Sequence, residues 1–342
     1  MRHAPTRDPH ADEPVSGAGG VDSALVEARN VSHRYGRRRL FSKDDGPLVL
    51  TDVNVAIARG ESVGLIGESG SGKSTLGRIL LRLNRHSGGQ VLFDGQDLAT
   101  LTERQLRALR PRMQMVFQNP YASVNRRFTI SRVLTDPLRV NRIGEEDSYG
   151  DRAREALERV GLSPALLSRY PHELSGGQLQ RVCIARALIT SPSFVVADEP
   201  TAALDMSSAK QIVELLGRTR AELGLSLLFI SHDLSVVAQV TDRIAVMYRG
   251  RIVELGPTQQ ILDDPAHPYT RALRQAIPNP HPRARRRQRA QLAMEREDAA
   301  RTSGCPFAPR CPRAYDVCTR SAPPLLPLGD GRHAACHALT AE

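Results

Sequence analysis

One segment limits the possible folds more than any other: the apolar run SVGLIG at residues 62–67, which passes directly into GESGSGKST at residues 67–75. The second stretch fits the pattern G-x-x-x-x-G-K-[ST] and lies where that pattern has a mechanism, after a strand and before the helical pattern LGRILLRL. A glycine-rich turn between a strand and a helix N-terminus points several backbone N–H groups at an anion. The sequence therefore predicts a phosphate-binding loop.

The residues of this loop have separate predicted roles. Three glycines let the backbone turn its N–H groups inward, and the helix that follows adds its partial positive charge. We expect Lys73 to bridge the β- and γ-phosphates of a nucleotide and the Ser74 hydroxyl to hold Mg²⁺. The complete predicted loop is Gly67, Glu68, Ser69, Gly70, Ser71, Gly72, Lys73, Ser74 and Thr75.

A pair of acids follows a second buried strand. The run SFVVAD ends in Asp198, and Glu199 and Pro200 come next, where the proline marks the end of the strand. A carboxylate at the carboxyl end of a parallel strand faces the crevice in which α/β proteins bind ligands. We therefore expect Asp198 to be a ligand of Mg²⁺ and Glu199 to be the general base that polarises an attacking water.

The rest of the chain favours an α/β fold with a largely parallel sheet. From Ala24 onward, short apolar runs such as LSLLFISH alternate with helical patterns such as DRAREALERVGL, whose apolar residues recur at helical spacing before Gly161. The 40% of hydrophobic residues is enough for a core, and no window approaches the about 18 apolar residues of a membrane span. The N-terminal segment has no apolar signal sequence, so we expect a disordered leader and a protein that stays inside the cell.

Charge narrows the choice of partners. The 342 residues include 47 Lys and Arg against 37 Asp and Glu, a net charge of +10, which indicates contact with something anionic. The absence of Trp and the 4% of aromatic residues argue against a single-strand nucleic-acid binder that works by stacking. Five arginines between Arg283 and Arg289 are interpreted as a solvated linker, with attraction to anionic lipid head groups as the alternative.

The segment LSGGQLQR at residues 174–181 resembles the signature of ATP-binding cassette (ABC) proteins. It opens a helix and so offers a second helix N-terminus to phosphate. The resemblance implies a head-to-tail dimer in which this segment of one subunit closes over the γ-phosphate of an ATP held by Lys73 of the other, so that hydrolysis weakens the interface. The residues expected to take part are Ser175, Gly176, Gly177 and Gln178.

Four further positions resemble positions of the ABC family, and their roles follow from that resemblance. Tyr35 resembles the aromatic residue that stacks on adenine, and Gln118 resembles the glutamine that touches Mg²⁺ and the attacking water. Asp205 resembles the acid that communicates between the two sites of the dimer, and His232 resembles the histidine that contacts the γ-phosphate. The loop after Gln118 resembles the surface that receives a membrane partner.

The family resemblance also implies an architecture. The expected fold is an α/β P-loop NTPase core of the RecA-like type with a β-rich ATP-binding subdomain, an ABC helical subdomain and a small Cys-containing extension. We expect a disordered leader at 1–23, an ATPase domain at 24–258 with its helical subdomain at about 120–185, and a C-terminal extension at 259–342 that contains the Arg-rich linker and a four-Cys tail.

Within the ABC family, four stretches resemble the ATPases of oligopeptide and dipeptide importers: MQMVFQNPYASVN, LFISHDLSVV, HPYTRAL and GCPFAPRCP. The resemblance implies an ATP-hydrolysing subunit at the cytoplasmic face of the membrane that drives peptide uptake. Its implied partners are two permease subunits, an identical or paralogous ATPase and an extracytoplasmic substrate-binding protein. The sequence departs from the family's usual pattern at Arg126 and Arg127 and in LDMSSAKQ, none of which has a phosphate-binding role.

Two other functions stay open at this stage. One keeps the importer but changes its cargo to nickel, another metal chelate or an oligosaccharide. The other is a soluble ABC ATPase that acts on nucleic acid, which only the positive charge supports. Such proteins usually carry long insertions, whereas Gln118 and Ser175 are only 57 residues apart. We therefore expect no nucleic-acid partner.

The cysteines are concentrated near the C-terminus. Cys183 lies in the signature helix and is expected to be a small buried apolar residue, while four others occur within the last forty residues. In a reducing compartment clustered thiols suggest a metal before a disulfide, but their spacing lacks the tight pairs of ordinary zinc sites. A [4Fe–4S] cluster, zinc, and free or disulfide-bonded thiols without a cofactor stay open as alternatives. The candidate ligands are Cys305, Cys311, Cys318 and Cys336, flanked by His333 and His337.

Overall fold

Strands and helices alternate through most of the chain. The protein is described here by a computed structural model, which covers residues 24–36, 46–276 and 304–339. The strands are β1 (Ala24–Arg34), β2 (Leu48–Ala58), β3 (Ser62–Ile66), β4 (Gly88–Phe93), β5 (Gln96–Asp97), β6 (Met113–Val116), β7 (Phe194–Asp198), β8 (Ser226–Ser231), β9 (Arg243–Tyr248), β10 (Arg251–Pro257), β11 (Leu326–Gly329) and β12 (Arg332–Ala334). The helices are α1 (Lys73–Leu80), α2 (Glu103–Leu109), α3 (Pro120–Ser123), α4 (Ile130–Asn141), α5 (Tyr149–Arg159), α6 (Gly176–Leu188), α7 (Met206–Leu223), α8 (Leu234–Val237), α9 (Thr258–Asp263), α10 (Pro268–Gln275) and α11 (Asp316–Arg320).

The larger of two sheets has the strand order β11-β12-β10-β9-β3-β8-β7-β6. Its strands β9, β3, β8, β7 and β6 run parallel, and β10, β12 and β11 continue it in antiparallel fashion. Every residue of β3, β7 and β8 is buried, as continuous apolar runs predict for parallel strands that are covered on both faces. The three strands predicted from SVGLIG, SFVVAD and LSLLFISH are thus confirmed.

The two faces of this sheet form two separate cores. Because side chains alternate along a strand, Val195 of β7 belongs to one core and its neighbour Val196 to the other. Helices α4 to α7 pack in the first core. The second core contains α1 and the smaller antiparallel sheet, which has the order β2-β1-β4-β5. The phosphate-binding loop therefore lies between a helix and a strand that are both anchored in packed cores.

The helices between β6 and β7 form one packed group, in which α4, α5 and α6 contact one another. In α5 and at its C-cap, the apolar positions that the sequence spaces at helical intervals are all buried, and Gly161 follows in the left-handed region with φ +71°. This confirms the predicted amphipathic helix and the residue that stops it. The buried positions are Ala153, Ala156, Leu157 and Val160.

The C-terminal region adds to the edge of the larger sheet. Strand β12 pairs with β10, with Glu254 opposite Ala334, and β11 pairs with β12. Glu254 is fully buried, and its carboxylate accepts the backbone N–H groups of Ala266 (2.7 Å) and His267 (3.0 Å). These bonds fix the turn that leads into α10. The chain in the described range 304–339 therefore packs on the edge of the larger sheet.

Two predicted segments lie outside the described residues, namely the leader at 1–23 and the arginine run at 283–289. In the part of the chain that the structure describes, no helix is both long enough and apolar enough to cross a membrane.

Candidate nucleotide-binding site

The phosphate-binding loop joins β3 to α1, and its glycines are required by its backbone. Gly67 has φ +155°, and a Cβ atom there would lie 2.1 Å from the carbonyl oxygen of Met247 in β9. Gly72 has φ +105° and directly precedes α1, and a Cβ atom there would lie 2.7 Å from a methyl group of Leu50. Such contacts are far shorter than van der Waals distance, so any larger residue would displace the loop.

Lys73 is the first residue of α1 and is only 4% exposed. Its ammonium group donates hydrogen bonds to the carbonyl oxygens of Gly67 (2.8 Å) and Glu68 (2.9 Å). Burial lowers the pKa of Lys73, and the nearby carboxylates of Glu199 and Asp198 oppose that shift. A buried cation at a helix N-terminus adds to the positive potential that favours a bound phosphate group.

Two oxygen ligands meet at the end of β7. The Ser74 hydroxyl donates a hydrogen bond of 2.7 Å to Oδ1 of Asp198, which is buried. Burial raises the pKa of Asp198, while the hydrogen bond from Ser74 lowers it. Hydroxyl and carboxylate oxygens suit Mg²⁺, which keeps several waters and takes only one or two protein ligands beside substrate phosphates. The donor set therefore fits the ion that the sequence predicts at these two residues.

Glu199 is the centre of a second group. It adopts φ +45°, a conformation that non-glycine residues rarely take, and its N–H donates to the carbonyl oxygen of Ile230 in β8 (3.0 Å). Nε2 of Gln118 donates to Oε2 of Glu199 (3.0 Å), and Nδ1 of His232 lies 3.6 Å from Oε1. Gln118 and His232, predicted from separate parts of the sequence, thus lie on either side of the Glu199 carboxylate. A non-glycine residue held in this backbone region is frequently found at functional sites.

The signature segment begins a helix as predicted. Ser175 is the N-cap of α6, and its hydroxyl accepts the N–H of Gln178 (3.2 Å) while Oε1 of Gln178 accepts the N–H of Ser175 (3.0 Å). This reciprocal capping box fixes the first turn, in which Gly176 and Gly177 follow the cap. Among the described residues, no hydrogen bond or ion pair connects this turn with residues 67–75 of the same chain.

The remaining predicted residues lie at the periphery. Tyr35 is 44% exposed, and its hydroxyl is 3.1 Å from Oγ1 of Thr75 at the start of α1, so a partly exposed aromatic residue lies beside the loop. Asp205 caps α7, where its carboxylate accepts the N–H of Ser208 (2.9 Å). That hydrogen bond lowers the pKa of Asp205.

Sequence reasoning missed two residues that contact the loop. Tyr269 accepts the backbone N–H of Glu68 (2.9 Å), and Arg310 donates to the Glu68 carboxylate (3.0 Å). Both lie in segments that the sequence singles out, HPYTRAL and GCPFAPRCP, but they are 201 and 242 residues away from Glu68. No local pattern signals such long-range contacts.

The four C-terminal cysteines lie near one another. The N–H of Cys305 donates to the carbonyl oxygen of Cys318 (2.7 Å). Burial raises the pKa of Cys311, and Cys336 and Cys318 add to the shift. Within the described ranges, however, no group of three or more His, Cys, Asp or Glu side chains is arranged to hold a metal ion. The arrangement of the thiols thus gives no support to a cluster. Cys183 is buried in α6 as expected.

Comparisons with known proteins match two parts of the chain to known families. Residues 50–202 match the ABC transporter family, and residues 253–318 match the family of the oligopeptide/dipeptide transporter C-terminal region. The oligopeptide transport ATP-binding protein AppF of Bacillus subtilis is 41% identical over 318 residues, which cover 92% of this chain and 97% of AppF. A protein of Brucella ovis named for peptide import and ATP binding is 46% identical over 316 residues, 92% of this chain and 98% of that protein.

This chain belongs to the ATP-binding proteins of peptide-importing ABC transporters. Solved structures agree with the fold of such an ATPase. The dimeric, post-hydrolysis structure of the ATP-binding cassette MJ0796 with ADP and Pi is 30% identical, with a TM-score of 0.62, and the match covers 68% of this chain and 99% of that one. The structure of cbiO1 of Clostridium perfringens is also similar. It is 29% identical, with a TM-score of 0.62, and the match covers 71% of this chain and 92% of that one. The predicted α/β cassette fold and the ATPase assignment are thereby confirmed.

Proposed function

We propose that this ABC ATPase binds ATP with Mg²⁺ at residues 67–75 and hydrolyses it with Glu199 as the general base. The proposal rests on one observation: the predicted catalytic residues lie together around Glu199. Its carboxylate is bonded to Gln118 and lies beside His232, at the end of the strand that also carries Asp198. Lys73 and Ser74 approach the same strand end from α1.

Each side chain has one task in the proposed reaction. The oxygen of a water attacks the γ-phosphorus, the bond from that phosphorus to the β–γ bridging oxygen breaks, and ADP and phosphate leave. The proton of the water passes to the carboxylate of Glu199, and Gln118 and His232 orient the water and the γ-phosphate. Lys73 neutralises the phosphate charge that develops. Ser74, Gln118 and Asp198 would hold Mg²⁺, which would supply further charge neutralisation when it is bound.

The signature turn at Ser175 completes the site from a second chain in this proposal. It does not bond to residues 67–75 within the described chain, and its helix N-terminus is free to face an anion from another subunit. We propose a head-to-tail dimer with an identical or paralogous ATPase. Tyr35 stacks on the adenine, and Asp205 communicates between the two sites.

The proposed assembly lies at the cytoplasmic face of the membrane. Two permease subunits receive the force through the loop that follows Gln118, where Asn119 caps the short helix α3 and Arg126 and Arg127 are exposed. An extracytoplasmic substrate-binding protein delivers the cargo, for which we propose di- or oligopeptides. Residues 24–258 form the ATPase domain in this proposal, with the helical subdomain at about 120–185 and the extension from 259 onward.

The cofactor of the cysteine tail stays a prediction. A [4Fe–4S] cluster on the four C-terminal thiols is tested by anaerobic purification followed by iron, acid-labile sulfide and zinc analysis. Four irons and four sulfides per chain would establish the cluster, and one zinc would establish the alternative. A metal-free protein would leave the thiols as a structural element.

Reconstitution tests the cargo. The ATPase is purified with its permease subunits, inserted into vesicles and assayed with the binding protein and a library of short peptides. Stimulation of ATP hydrolysis by peptides supports the proposal, whereas stimulation by a nickel chelate or an oligosaccharide would replace peptide as the cargo. Stimulation by DNA, with no permease co-purifying, would overturn it.

A further inference from the structure

Residues that follow β10 contact the phosphate-binding loop at Glu68. This residue follows Gly67 directly and is the one acidic residue of the loop GESGSGKST. Both its peptide group and its side chain bond to residues that follow β10. The proposed catalytic reaction does not use either bond, so their function is open.

Arg310 makes the side-chain contact. Its guanidinium donates to both carboxylate oxygens of Glu68, at 3.0 and 3.2 Å, and to the hydroxyl of Tyr248 at 3.4 Å. It also lies over the rings of Tyr248 and Phe307, with 5.8 and 5.7 Å to their centroids. Burial lowers the pKa of Arg310, but Tyr248 and the Glu68 charge outweigh it and raise the pKa overall. Tyr248 and Phe307 thus contact the same guanidinium that pairs with Glu68.

Tyr269 makes the backbone contact. Its hydroxyl oxygen accepts the N–H of Glu68 at 2.9 Å, and its ring is buried against Tyr248 and Phe307, with centroids 4.5 and 5.5 Å away. Tyr269 and Arg310 thus share one aromatic support. They approach Glu68 from two different segments of the chain, α10 and the region after residue 304.

Glu68 in turn determines where Lys73 lies. The Lys73 ammonium donates hydrogen bonds to the carbonyl oxygens of Gly67 and Glu68. The Glu68 N–H and the Gly67 carbonyl belong to one peptide group, so a rotation of that group would remove one of the two partners of Lys73. The charge of the Glu68 carboxylate also affects the binding of phosphate directly. Without a cation beside it, its negative charge would repel a bound triphosphate.

We propose that Arg310 and Tyr269 are positioning residues for ATP: they fix the Glu68 peptide under Lys73 and neutralise the one carboxylate in the phosphate-binding loop. The C-terminal region thereby sets the nucleotide affinity of the site. This inference rests on the proposed ATP site at Lys73.

The test measures the Kd for ATP of the full-length chain by equilibrium titration. Arg310→Ala is expected to raise the Kd about two- to fivefold, the range expected for an ion pair that is only partly buried (side chains 17% and 44% exposed). In the Glu68→Gln background the same substitution should leave the Kd within about 1.5-fold, because no charge is left to neutralise. Arg310→Lys should recover most of the affinity.

A matched control separates positioning from a general effect on the extension. Arg320 lies in the same region and pairs with Asp316 at 3.3 Å on the surface, so Arg320→Ala changes the same residue type without touching the loop. Its Kd for ATP should equal that of the wild type. Tyr269→Phe removes only the acceptor for the Glu68 N–H and keeps the ring, and it should also raise the Kd about two- to fivefold.

Steady-state kinetics give a readout that a loss of stability alone would not change. At saturating ATP, kcat of Arg310→Ala should stay within about twofold of wild type while KM rises with the Kd. The inference is overturned if Arg310→Ala and Tyr269→Phe bind ATP like the wild type, or if Arg320→Ala weakens binding equally. Failure of the wild type itself to bind ATP, or normal binding by Lys73→Ala, would instead refute the proposed site.

Discussion

His267 makes the stability of the protein depend on pH between 6.5 and 4. It is 1% exposed and caps α10, where its Nδ1 accepts the N–H of Tyr269 at 3.0 Å. Burial lowers the pKa of His267 from 6.5 to about 4, although a hydrogen bond to the backbone of Ala335 opposes the shift. The folded protein thus keeps this imidazole neutral at a pH at which the unfolded chain protonates it.

The sign and the size follow from linkage. Between pH 6.5 and 4 the unfolded chain binds more protons at His267 than the native chain, so the free energy of unfolding falls as the pH falls. A change of one unit in a pKa changes the free energy of unfolding by about 1.4 kcal/mol. The shift of His267 therefore lowers the free energy of unfolding by about 3 kcal/mol once the pH has fallen to 4. Buried Glu254 acts in the opposite sense: burial raises its pKa, so its contribution to stability declines as the pH rises above its unfolded value.

His267→Asn isolates the histidine. Asn keeps an acceptor for the N-cap bond but does not titrate, and Glu254 is common to both proteins. Guanidinium unfolding at several pH values is followed by far-UV circular dichroism, because the chain has no Trp for fluorescence. The wild type should lose about 3 kcal/mol relative to the variant from pH 7 to 4. A constant difference over that range would refute a buried neutral His267.

Three further predictions concern the ATP site. Gly67→Ala should lower the free energy of unfolding by about 2 kcal/mol in thermal unfolding and weaken ATP binding, because its Cβ would meet a carbonyl oxygen of β9. The control Gly224→Ala, at φ +60° with open space around it, should lower the free energy of unfolding by about 1 kcal/mol and bind ATP normally. Equal effects of the two substitutions would contradict the packing around the loop. Ser74→Ala should raise the Mg²⁺ concentration needed for half-maximal hydrolysis about tenfold, and an unchanged Mg²⁺ titration would remove Ser74 from the metal site. If the dimer partner is the identical chain, an equal mixture of Lys73→Ala and Ser175→Arg should recover about a quarter of wild-type hydrolysis. Half of the dimers then combine the two variants, and each of these contains one intact site out of two. No recovery would exclude a shared site between identical chains.

The sequence predicts the parts of this site that depend on local patterns. The loop at 67–75 is recognisable because its glycines, lysine and hydroxyl occupy fixed offsets between a strand and a helix, and β3, β7 and β8 are recognisable because parallel strands are apolar on both faces. The helix that starts after Ser175 is recognisable from the signature segment LSGGQLQR, which opens it.

The parts that depend on distant pairs could not be predicted. Strand β12 contributes only three residues to the larger sheet, with no alternation long enough to indicate a strand, and its partner Glu254 lies 80 residues earlier. The bond from Arg310 to Glu68 joins residues 242 positions apart. Such pairs are fixed by tertiary packing, in this case by the aromatic group around Tyr248, and no local propensity encodes them.

Glu199→Gln tests the central claim, that this chain hydrolyses ATP by general-base catalysis at Glu199. The substitution keeps the size of the side chain and removes only its ability to accept a proton, so ATP binding should stay within about twofold of wild type while steady-state hydrolysis falls at least about 100-fold. A variant that still hydrolyses ATP within tenfold of the wild-type rate would contradict the assignment of Glu199 and with it the proposed mechanism.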